Sequence, residues 1–101
     1  MDPFRPSRHG PPSRAEAEEL AVAALAHLGR EPELLGRFLA ATGLGPETIR
    51  QAAGEPGFLL AVLEFLMSDE AELLVFAERQ QIRPTMIAAA RHLLDPLSER
   101  S

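Results

Sequence analysis

The sequence predicts an all-α fold. Apolar residues recur at helical spacings of three and four through most of the chain. Capping residues, Pro and Gly cut that pattern into five or six short segments. No segment alternates with period two for long enough to form a strand. The expected architecture is a compact bundle around a buried central helix at about residues 56–68, within one helical domain over 13–96.

Residues 1–12, MDPFRPSRHGPP, are rich in Pro and lack an apolar period, so they read as a disordered tail. Pro3-Phe4-Arg5-Pro6 is formally a PxxP segment, a pattern common by chance. A first helix starts at the capping box Ser13-x-x-Glu16. Leu20, Ala24, Leu25 and Leu28 form its expected apolar stripe, and Gly29 its stop. Pro32 opens a second helix whose buried face would be Leu34, Leu35, Phe38, Leu39 and Thr42, with Gly43 as a left-handed terminator. Gly45-Pro46 begins a short third helix carrying Ile49, Ala52 and Ala53, ended by Gly54.

The fourth helix differs in kind. Phe58, Leu59, Leu60, Val62, Leu63, Phe65, Leu66 and Met67 surround it, and Glu64 is nearly its only charge. A helix apolar on every side is buried on every side. A domain of roughly 90 ordered residues has limited means to cover it, which makes Phe58, Phe65 and Met67 the candidate interaction surface. Asp69 caps a fifth helix with core positions Leu73, Phe76 and Ala77. Pro84 opens a sixth, with Ile87, Ala90, Leu94 and Met86 as its face, and Asp95-Pro96 ends it. Residues 97–101 read as a frayed end.

Composition narrows the function. The 101 residues include no Cys, so disulfides, thiolate metal sites and thiol nucleophiles are excluded. All ten basic residues are Arg, and Lys, Asn, Tyr and Trp are absent. That pattern fits a GC-rich, bacterial genome. No run of about 18 apolar residues is present, and the N-terminal segment lacks the apolar core of a secretory signal. A cytoplasmic location and no membrane partner are therefore expected. The formal net charge is −5, and the acids concentrate in the helical region. An acidic body has no general attraction for polyphosphate.

A weak internal echo relates 31–53 to 69–91: Leu35 to Leu73, Phe38 to Phe76, Leu44 to Ile82, Pro46 to Pro84, Ile49 to Ile87 and Ala52 to Ala90. Two such hairpins could pack about the central helix with pseudo-twofold symmetry. Equally, hairpins rich in Ala and Leu resemble one another at any offset. The first copy also has the pattern of a DNA-binding helix-turn-helix over 34–53, with Thr48, Arg50 and Gln51 as the base-contacting side chains. Glu47 would face phosphate there, and Leu39 stands where a small residue is needed for close helix packing. Both favour an ordinary helical hairpin.

No catalytic constellation emerges. His9, His27 and His92 are scattered, and the latter two read as partly exposed residues near helix C-termini. His92 and Asp95 offer only two donors to a cation. The acids at Glu16, Glu18 and Glu19 and at Asp69, Glu70 and Glu72 suit helix N-terminal dipoles. Glycine-rich phosphate loops, zinc-protease motifs and nucleophile elbows are missing. No catalytic, metal or cofactor-binding residue is assigned, and no cofactor is expected.

The string FLAATGLGPETIR from Phe38 to Arg50, then PGFLLAVLEFL from Pro56 to Leu66, then Asp69-Glu70, resembles a small alphaproteobacterial family, domain of unknown function 3572. The resemblance covers about 14–95. One departure is Gln81-Ile82-Arg83-Pro84, where Gly-Leu-x-Pro would be more typical. The resemblance implies a helical fold in a bacterial cytoplasm, but no activity, cofactor or site residue. The resulting expectation is a non-catalytic helical interaction or regulatory module, with an unidentified protein or a second copy as partner. The alternative is a helix-turn-helix DNA-binding regulator.

Overall fold

Six helices are present in the computed structural model, which describes residues 12–52 and 55–97. They are α1 (Arg14–Gly29), α2 (Pro32–Thr42), α3 (Pro46–Ala52), α4 (Pro56–Met67), α5 (Glu70–Gln80) and α6 (Pro84–Leu94). No strand occurs among the described residues. The expected tail, apart from Pro12, lies outside them, as do Ala53, Gly54 and residues 98–101.

Local chemistry sets the helix ends. At α1 the capping box is complete. The Glu16 N–H donates to Ser13 Oγ at 3.1 Å, and the Ser13 N–H donates to Glu16 Oε1 at 2.7 Å. Two of the orphan donors at this end are thereby satisfied. α1 ends at Gly29 as expected, and the chain leaves it through right-handed Arg30, whose N–H donates to the His27 carbonyl at 3.2 Å. Gly43, at φ 75°, does close α2, its N–H donating to the Leu39 carbonyl at 2.8 Å. Asp69 Oδ1 accepts from the Glu72 N–H at 3.2 Å and caps α5. Gln81 then ends α5 in the left-handed region, at φ 58° and ψ 43°.

The core is a three-helix layer of α1, α4 and α6, in which each helix packs against the other two. The α1–α6 interface is the most extensive. The two helices run antiparallel, since the Arg14 guanidinium at the start of α1 donates to the Leu93 carbonyl at the end of α6 at 3.0 Å. On α4, Leu59, Val62, Leu63 and Leu66 are buried, and Glu64 faces solvent, where it pairs with Arg91 at 2.8 Å. The all-round burial expected of this helix is only partly realised, because Leu60, Phe65 and Met67 remain half-buried, and α1 shares the centre with it.

The buried face of α1 differs from the expected leucine stripe. Ala17, Ala21 and Ala24, with His27 and Leu28, point inward, whereas Leu20 and Leu25 sit half-buried at the margin. Small side chains let this helix approach two neighbours at once; a leucine at those positions would hold them apart. Thr42, expected inside, is exposed and donates its hydroxyl to the Phe38 carbonyl at 2.9 Å. On α6, Ile87, Ala90 and Leu94 are buried as the spacing predicts, and Met86 is half-buried.

The internal echo survives in the turns but not in the packing. Gly43 and Gln81 occupy equivalent positions, and both are left-handed. Yet α6 lies in the core, while α3 has no extensive interface with another helix. The reason is local. α6 presents three fully buried apolar side chains, whereas seven-residue α3 offers Ile49 and Ala52, both only half-buried. The two hairpins are therefore not pseudo-twofold mates about α4.

Candidate interaction surface

The aromatic residues of α4 are largely consumed by the fold. Phe38 of α2 is fully buried between Phe58 and Phe65. Its ring meets theirs edge-on, with centroids 5.9 and 5.3 Å apart, geometry that favours the aromatic quadrupoles. Phe58 is only 7% exposed and offers little to a partner. Phe65 and Met67 are half-buried, so only their outer edges reach the surface.

The exposed apolar surface lies elsewhere. Leu74 and Val75 of α5 are 49% and 45% exposed. They sit outside the stripe that buries Phe76 and Ala77, Leu74 at its margin and Val75 farther round, with Glu70, Ala71, Glu78 and Arg79 also exposed. The signal was present in the spacing: once Leu73, Phe76 and Ala77 are assigned inward, the 100° step per residue turns Leu74 and Val75 outward. Val22 on α1 and Leu97 beyond α6 are the other large exposed aliphatic residues among the described residues.

Two polar ties hold the N-terminal half of α5. Arg37 of α2 donates to Asp69 Oδ2 at 3.3 Å. The backbone N–H of Glu72, then this guanidinium, hold the Asp69 carboxyl below its ordinary range. The second tie is internal. His27 is 5% exposed, and its Nε2 lies 3.1 Å from Glu72 Oε1. The imidazole also meets Phe76 edge-on, at a centroid distance of 5.4 Å. His27 is thus a core residue rather than the partly exposed one expected. Its place three residues after Ala24 on the inward stripe was the overlooked sign.

A carboxylate holding an imidazole is a familiar preparation for general-base chemistry. Here the imidazole is almost wholly enclosed, at 5% exposure. His27 Nε2 faces Glu72 Oε1, and Nδ1 is buried with no partner among the described residues. His92 is exposed, and Asp95 Oδ1 accepts from the Leu97 N–H at 2.9 Å. Among the described residues no three His, Asp or Glu side chains stand close enough to hold a metal ion. No helix among them is long and apolar enough to cross a membrane.

Thr48, Arg50 and Gln51 are all exposed on α3, as is Glu47 at its start. This brings the three together on one short helix. A single cation accompanied by an acid gives little pull toward phosphate, and the helix lacks the firm seating against α2 that groove insertion demands.

The model of a family described as protein of unknown function (DUF3572) matches residues 14–97, a span that takes in all six helices. No curated protein and no solved structure matches the chain.

Proposed function

We propose that this chain, which belongs to the family of proteins of unknown function DUF3572, is a non-catalytic protein–protein interaction module of the bacterial cytoplasm. The outer side of α5 carries the reading: Leu74 and Val75, successive residues that diverge by about 100°, are each about half exposed on a helix that buries Phe76 and Ala77 on its inner side. Removing the remaining exposed area of two such side chains from water contributes on the order of 2 kcal/mol to an association. That is enough to make the pair the energetic centre of a modest interface. The acidic composition supports a protein partner over nucleic acid. The surface named in the sequence, Phe58, Phe65 and Met67, contributes at most the exposed edges of the latter two.

The test compares the full chain with the double variant Leu74→Glu and Val75→Glu. Both proteins are used to capture partners from an extract of the native organism, and both are run in sedimentation velocity over a concentration series. The expected result is a protein captured, or self-association seen, with the natural chain and lost with the variant at an unchanged melting temperature. A monomer at every concentration, with the same captured proteins for both chains, would overturn the proposal. Salt-sensitive DNA binding that Arg50→Ala removes would replace it with the helix-turn-helix reading.

A further inference from the structure

We draw no further inference here: the strongest candidate, the outward apolar face of α5 around Leu74 and Val75, belongs to the surface already described, and nothing in the structure shows what covers it.

Discussion

Replacing Gln81 with glycine should stabilise the protein. Gln81 is the one non-glycine residue with positive φ among the described residues. A side chain in the left-handed region crowds its Cβ against the following carbonyl, at about 1–2 kcal/mol. Glycine removes that penalty but also widens the unfolded ensemble, which takes back about 0.4–1 kcal/mol. Little else is lost, because the Gln81 side chain is exposed. The net gain is about 0.5–1 kcal/mol. In a domain of this size that raises the melting temperature by roughly 2–8 °C. Gly43→Gln supplies the mirror experiment. A Cβ there meets no atom within 4 Å, so its cost comes from φ 75° alone. It should lower stability by a similar amount, and the double swap should nearly restore the natural value. Thermal and urea unfolding followed by far-ultraviolet circular dichroism measure all three, with Gln81→Ala as a control that leaves stability nearly unchanged. If Gln81→Gly proves neutral or destabilising while Gly43→Gln is tolerated, the left-handed turns do not carry the strain assigned to them.

Three further outcomes follow from the packing and the caps. Phe38→Ala empties the space between Phe58 and Phe65 and should cost about 3–5 kcal/mol in urea unfolding; a loss below about 1 kcal/mol would show that the rings close over the gap. Ala21→Leu, at a fully buried position on α1, should destabilise by about 1–3 kcal/mol, whereas Ala26→Leu on the exposed side should change little; equal effects in the melting temperatures would contradict the alanine face. Asp69 is ionised more readily in the folded chain than in the unfolded one, so its stabilisation is present above its ordinary value of 3.8 and fades as pH falls through the lower folded value. Asp69→Ala should therefore lower the melting temperature at neutral pH and shrink its loss on acidification below pH 3.8; parallel pH profiles for the two proteins would refute the linkage.

Where the sequence was legible, a residue's chemistry could act in only one way. Ser13 with Glu16, Gly43 and Asp69 mark helix ends because backbone groups there need those partners or that freedom. Phe38, Phe76 and Ile87 are large enough that helical spacing assigns them inward without ambiguity. α1 was harder for the same physical reason. From Leu20 to Ala26 it is apolar around its whole circumference, so spacing alone supplies little direction, and small residues rather than the largest face the closest neighbours. His27 was misplaced because a single polar residue on an inward stripe is explained only by its partner, Glu72, which lies 45 positions away. Gln81 adopts the backbone that glycine would favour because the half-buried turn residue Ile82 and the start of α6 must still be reached. The candidate surface moved from α4 to α5 because aromatic side chains found one another inside, a pairing that no periodicity records.

The dominance of the α1–α6 interface has a consequence for the birth of the molecule. The first helix finds its largest partner in the last, so the chain cannot complete its core as it is made. At roughly 5–20 residues per second, the 65 residues from the end of α1 to the end of α6 keep the alanine face of α1 waiting for about 3–13 s. Helices can form within that interval, but the long loop must close before native contacts reward it. Cooperative folding is therefore expected to wait until α6 has been made, with α1 dependent on earlier neighbours until then.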